Sequence, residues 1–169
     1  MKKLISILFL LFLYSCDDPL FSIDKAHYHY QKDPKGYTAY TYTQLTNFIT
    51  YCGNSITPPS SINFNPNLIT DTAQFHWLCS NYCQIINSTP PIIDFNNNSL
   101  IVTHVQAQGN GSYIERHKVL IDNTNKIILV KCLVKAESGD YSWNINIEYL
   151  IPKVTPDYTV NTESWTTGF

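Results

Sequence analysis

The residues best equipped for chemistry in this chain are its cysteines and histidines. Besides Cys16 there are four cysteines, Cys52, Cys79, Cys83 and Cys132. An even number in an exported chain points to two disulfides, for which three connectivities are open. Cys79 and Cys83 stand four apart, hence on one face of a helix, and each is expected to reach out to Cys52 or Cys132. A local bridge between them, or free buried thiols, are the alternatives. A zinc site is disfavoured, because the metal takes close Cys pairs from two knuckles and these four are scattered. His27 and His29, two apart, would share one face of a strand as a pair of metal ligands does, but no third ligand stands nearby. His76 and Cys79 have the one-turn spacing of a base and a nucleophile, yet the helical pattern turns Cys79 inward, where a thiol is packed or bridged rather than reactive. Glu115, Glu137, Asp140 and Glu148 are separated by strands, whereas a glycosidase pair must stand about 5–10 Å apart in a cleft. The chain contains no nucleophile elbow, zincin helix, phosphate loop or dinucleotide fingerprint. The sequence therefore specifies no reaction and implies no cofactor, and a non-catalytic role is expected.

A second group of residues can recognise rather than react. Aromatic side chains make up 14% of the chain, and Tyr28, Tyr30, Tyr37, Tyr40 and Tyr42 crowd near the amino end. Alternate tyrosines such as Tyr40 and Tyr42 on an exposed strand would stack on a glycan or a partner protein, since their rings are amphipathic. The plainer expectation is that they pack on one face of the sheet. Asp94, just ahead of a strand, is expected to tie a turn through its side chain.

The amino end reads Met1-Lys2-Lys3, an apolar run from Leu4 to Leu13, then Tyr14-Ser15-Cys16, the order of a secretory signal. That run is about ten residues, half of the ~20 a spanning helix needs. Leu13-Tyr14-Ser15-Cys16 resembles the lipobox of bacterial lipoproteins. The resemblance implies cleavage after residue 15, a diacylglyceryl thioether on Cys16 and acyl chains that hold the protein on a membrane. Asp17 and Asp18 resemble the acidic sorting signals that follow such cysteines. The expected address is the cell envelope, on the outer or inner membrane, facing periplasm or cell surface. The net charge of -2, with no Lys/Arg cluster, argues against nucleic acid as a partner.

What must position these residues is a β-rich domain. Residues 1–15 are the signal, 16–36 a tether or first strand, and 37–169 a single domain. The stretch from Tyr37 to Tyr51, rich in Tyr, Thr and Ile, suits one or two strands. Gly53 to Asn67 is a Pro- and Asn-rich loop. At Phe75, Leu78, Cys79 and Tyr82 the spacing is that of one helical face, with Thr70 or Asp71 as cap, which predicts a helix near residues 71–83. Beyond Pro90-Pro91 the period becomes two. Ile92–Phe95, Leu100–Ala107, Ser112–Ile121, Ile127–Glu137 and Tyr141–Ile151 read as strands, with a hairpin turn at Asp122 to Asn125. In the last of these, Tyr141, Trp143, Ile145, Ile147, Tyr149 and Ile151 mark the core face, and Pro152 ends it. Tyr158–Val160 reads as a short edge strand. The expected class is α+β, an antiparallel, sandwich-like sheet with one inserted helix.

From Ile69 to Phe95, the order helix, Pro-rich loop, Pro91-Ile92-Ile93-Asp94-Phe95 and strand resembles a family of bacterial lipoproteins related to the C-terminal domain of the protease complex subunit PrcB. In that family a glycine-rich turn with an aromatic follows, then β-hairpins. Asn110-Gly111-Ser112-Tyr113 and the strands from Ile114 to Ile151 hold those places, with Ser112 where a second glycine is expected. The resemblance covers roughly residues 69 to 160. It implies an accessory domain that binds another envelope protein, through a sheet edge or the loop Asn110, Gly111, Ser112 and Tyr113, and it brings no catalytic residues.

Overall fold

The computed structural model of the chain describes residues 19–45, 49–52, 67–81, 83–85 and 91–168. The signal, Cys16 and much of the loop from Gly53 to Asn67 lie outside them. Helix α1 (Pro19–Gln31) is followed by β1 (Thr38–Ala39), β2 (Thr43–Gln44), β3 (Ile49–Cys52), β4 (Leu68–Ile69) and α2 (Thr72–Asn81). Then come β5 (Cys83–Ile85), β6 (Asn98–Gln108), β7 (Tyr113–Asp122), β8 (Ile127–Lys135), β9 (Ser142–Pro152) and β10 (Thr159–Thr167). The fold is β-rich, as the alternating pattern predicts.

One sheet has the order β1-β7-β8-β10, a second β2-β9-β6-β4, and β3 pairs β5 in a small third ladder. The two larger sheets share one core. From β6 and β9 come Ile101, Val105, Ile147, Tyr149 and Ile151, and from β7, β8 and β10 come Val119, Ile121, Ile128, Val130, Cys132, Val134 and Val160. These are the inward members of period-two strands. A smaller cluster on the other face of the second sheet joins Phe75 and Leu78 of α2 to Ile69, Phe95, Leu100 and Val102.

Helix α2 starts as its sequence dictates. Asp71 Oδ1 accepts the Gln74 N–H at 2.8 Å, satisfying an orphan donor of the first turn, while the Gln74 side chain reaches back to the Thr70 N–H just ahead of the cap at 2.7 Å. The hairpin β7–β8 turns where expected, with Asp122 accepting N–H bonds from Thr124 and Asn125.

Four expectations need correction. Residues 19–31 form a helix rather than a tether or strand: Pro19 suits the first helical position, and docking onto β8 and β10 supplies what a weakly amphipathic sequence lacks. Ile92–Phe95 is irregular, because Asp94 bonds to the Asn96 N–H and the Asn97 side chain and turns the chain there. The edge strand at Tyr158–Val160 is the start of nine-residue β10. Finally, β10 runs parallel to β8 along its whole length. The chain leaves β8 at one end of the domain, returns along β9 in the other sheet, and crosses at the far end, so it can re-enter the first sheet only in the direction of β8.

Candidate functional site

The loops β6–β7 and β8–β9 meet at one end of the domain, called the tip below. Gly109 has φ +90, and a Cβ there would lie 1.9 Å from the Glu137 carbonyl oxygen, so only glycine allows the two loops to approach. Its N–H donates to the Tyr141 carbonyl at 2.8 Å, and its own carbonyl accepts the Trp143 indole N–H at 3.0 Å. Buried Ser112 donates to the Gln108 carbonyl and accepts the Glu137 N–H. The loops are thus fastened to each other, and they hold three aromatic rings at the surface: Tyr113 is 49% exposed, Tyr141 72% and Trp143 43%.

Tyr141 and Trp143 fall on the inward parity of β9 and were expected in the core. They are exposed because β9 runs past the enclosed core at the tip. Of the loop singled out in the sequence, Asn110 and Tyr113 are at the surface, Gly111 is left-handed at φ +103, and Ser112 is a buried brace.

Beside the tip, the outward face of the second sheet carries no charge. His104, Gln106 and Gln108 on β6 stand opposite Asn146, Asn144 and Ser142 on β9, and all but half-buried Asn146 are exposed. Gln106 donates to the Ser142 hydroxyl at 2.6 Å. The same face further down carries Leu100 and Val102, which lie in the α2 cluster, and buried Glu148 opposite Val102. One sheet face is therefore half covered and half an open field of hydrogen-bonding side chains at the fixed spacing of a ladder.

Between the sheets lies an aromatic group. The His117 ring stacks on Tyr149 at 5.2 Å, and Tyr42 tilts against both, with its hydroxyl donating to the His117 carbonyl at 3.0 Å. His117 Nδ1 and the Tyr149 hydroxyl are buried with no hydrogen-bond partner among the described residues. Burial lowers the His117 pKa and raises those of Tyr149 and Tyr42. The rings pack against one another, and burial disfavours the charged form of each. Tyr40 also packs against the core. Tyr40 and Tyr42 are thus half-buried against the core, whereas Tyr28 and Tyr30 lie on α1, with Tyr28 exposed.

Cys79 and Cys132 are free thiols, so the expectation that Cys79 bridges to Cys52 or Cys132 is not met. Burial raises both pKa values, that of Cys132 to about 12, and so disfavours the thiolate form of each. The side chains of Cys52 and Cys83 lie outside the described residues, but their backbones are register partners in β3–β5. His27 and His29 sit on α1, where a spacing of two separates them around the helix, and His29 stacks on Trp165. Among the described residues no group of three or more His, Cys, Asp or Glu is placed to hold a metal.

Sequence reasoning missed Lys131, which is 1% exposed on β8 beneath α1. Its ammonium donates to the carbonyls of His29 at 2.9 Å and Lys32 at 2.6 Å and lies 4.8 Å from the Trp165 ring centre. Lys118 likewise donates to the Gln31 carbonyl and to Asp33. Two strand lysines thus cap the carbonyl end of α1, where the helix dipole favours cations. Only the alternating pattern of β8, with a lysine on a face otherwise filled by Leu129 and Leu133, hinted at it. Set against known proteins, the chain matches no family model, no curated protein and no solved structure.

Proposed function

We propose that the protein is a lipid-anchored envelope lipoprotein with a non-catalytic, sandwich-like accessory domain that binds another protein through the open polar half of its second sheet. The observation that carries this reading is the field formed by His104, Gln106, Gln108, Ser142, Asn144 and Asn146. Uncharged hydrogen-bonding groups at ladder spacing suit a partner backbone or polar rim better than a charged ligand. Of the carboxylates weighed in the sequence, Glu137 lies against Gly111 in the tip loops, and buried Glu148 stands opposite Val102. The anchor rests on the lipobox-like Leu13 to Cys16. Among the described residues no helix is long and apolar enough to cross a membrane. The resemblance to PrcB-related lipoproteins supports the same accessory role.

One disulfide belongs to this reading. Residues directly opposite in an antiparallel ladder stand about 4.5–5.5 Å apart at Cα, inside the ~4.4–6.8 Å span of a disulfide, so the register Cys52↔Cys83 supports a bridge joining β3 to β5.

The test is affinity isolation from detergent-solubilised membranes with the lipidated protein and its Gln106→Arg/Asn144→Arg variant. A partner recovered stoichiometrically by the first and lost by the second supports the reading. Equal recovery by both, or no specific recovery, rejects the proposed surface. Intact mass with and without reduction tests the acylated Cys16 start and the single bridge.

A further inference from the structure

The turn that fastens the tip holds the one Asn-Gly pair of the sequence, Asn110-Gly111. These two residues are the centre of a four-residue turn, which the Ser112 N–H closes on the Gly109 carbonyl at 3.4 Å. That bond is long, and so the turn opens readily. Both central residues are exposed. Among the described residues neither the Gly111 N–H nor the Asn110 side-chain amide has a hydrogen-bond partner. An asparagine side chain and the main-chain nitrogen of the next residue can close a five-membered ring once that nitrogen is free to lose its proton. Glycine, with no side chain, hinders the closure least. Elsewhere the same reaction is blocked. The Thr124 N–H, which follows Asn123, donates to Asp122 Oδ1 at 2.9 Å. Asn98 is held by its main-chain and side-chain N–H groups on the Asp94 carbonyl, each at 3.0 Å.

We infer that Asn110 is a site of spontaneous deamidation, and that the modification unfastens the two tip loops. Solvent base removes the Gly111 amide proton, and the nitrogen attacks Asn110 Cγ. The Cγ–Nδ2 bond then breaks, and its electron pair leaves with ammonia, which takes its third proton from water. Water opens the resulting succinimide at either carbonyl. Breaking the bond from nitrogen to Cγ gives aspartate. Breaking the bond from nitrogen to the main-chain carbon gives isoaspartate, whose main chain runs through Cβ and is one atom longer. Either product places a new carboxylate next to that of Glu137, which already lies against Gly111. Isoaspartate also stretches the turn between the two residues that tie the loops together. Gly109 accepts the Trp143 indole N–H, and Ser112 joins the Gln108 carbonyl to the Glu137 N–H. Backbone meets backbone too closely at Gly109 for an added Cβ, so a longer turn has no slack to take up and the loops part. The inference stands apart from the anchor and from the binding partner.

The experiment ages the native full chain in buffer and follows it by peptide mapping, with isoaspartyl methyltransferase labelling to mark isoaspartate. Modification should be confined to Asn110 and leave Asn98 and Asn123 intact. It should run about tenfold faster at pH 8 than at pH 7, because the amide anion that attacks follows hydroxide. Asn110→Gln, whose ring would need six members, should stay unmodified. The isoaspartate fraction, separated by charge, should melt roughly 2–4 °C lower, the size of one lost hydrogen bond in a domain this large. Its tryptophan emission should shift, and the shift should be absent in the Trp143→Phe background. Asn110→Asp adds the charge without the longer main chain and should keep the parent emission. An Asn110 that persists in the native protein while the urea-unfolded chain deamidates there would overturn the site. Equal modification at Asn98 or Asn123 would do the same. An isoaspartate form with the parent's Tm and emission would overturn the unfastening.

Discussion

Replacing Lys131 by Met removes a buried ammonium while keeping most of the stem's volume, so the change tests the cap on α1 rather than a cavity. Two charge-assisted hydrogen bonds are lost, to the His29 and Lys32 carbonyls, each worth roughly 1.5–3 kcal/mol. Relief of the lysine's desolvation, which also lowers its pKa, offsets part of this. Exchanging a buried ion pair for apolar groups is often neutral, but here the acceptors are backbone carbonyls that stay behind without donors. Fraying of the helix end lets water reach them and limits the cost. The expected net loss is about 2 kcal/mol, or roughly 4–8 °C in Tm. Lys118→Met, at a half-exposed bridge to Asp33, should cost under about 1 kcal/mol. Chemical denaturation gives the energies, and hydrogen exchange should show Lys131→Met losing protection in residues 25–33 before β8. A variant as stable as the parent, or one whose exchange rises equally in helix and strands, would refute the cap as what docks α1.

His117 gives a pH dependence. Its neighbours Tyr42, Tyr149 and Cys132 are neutral with raised pKa values, so nothing in the core supports an imidazolium, and burial lowers the His117 pKa from 6.5. The unfolded chain then binds the proton first, and stability is lost as pH falls from about 6.5 toward the folded pKa. Denaturation midpoints at pH 7.5 and 5 should differ in the parent and converge in His117→Phe; an unchanged difference would assign it elsewhere. Gly109→Ala meets backbone at Glu137 and should destabilise by several kcal/mol, on the order of a severe core defect. Gly111→Ala meets only the Glu137 carboxylate and should be partly rescued by Glu137→Ala, a double-mutant cycle that fails if the costs add. Native Cys132 should resist thiol reagents that modify Cys79 slowly. Cys132→Ser, which buries a hydroxyl, should cost more than Cys132→Val by about 1–3 kcal/mol; the reverse order would mean the site admits water.

What could be read from the sequence was whatever repeats locally. The period-two strands β6 to β9, the cap and apolar face of α2, and the turn at Asp122 all follow from residues within a few positions of one another. Tertiary structure alone decided the rest. Helix α1 has a weak apolar stripe and forms against Lys131, Leu133 and Trp165, residues distant in sequence. The parallel course of β10 follows from the chain crossing between sheets, which no local pattern encodes. Trp143 has the parity of a core residue and is exposed because the strand outruns the core, a matter of where the neighbouring loops end. Alternation fixes which side of a strand a residue occupies, but only the assembled sheets determine how far along that strand the interior extends.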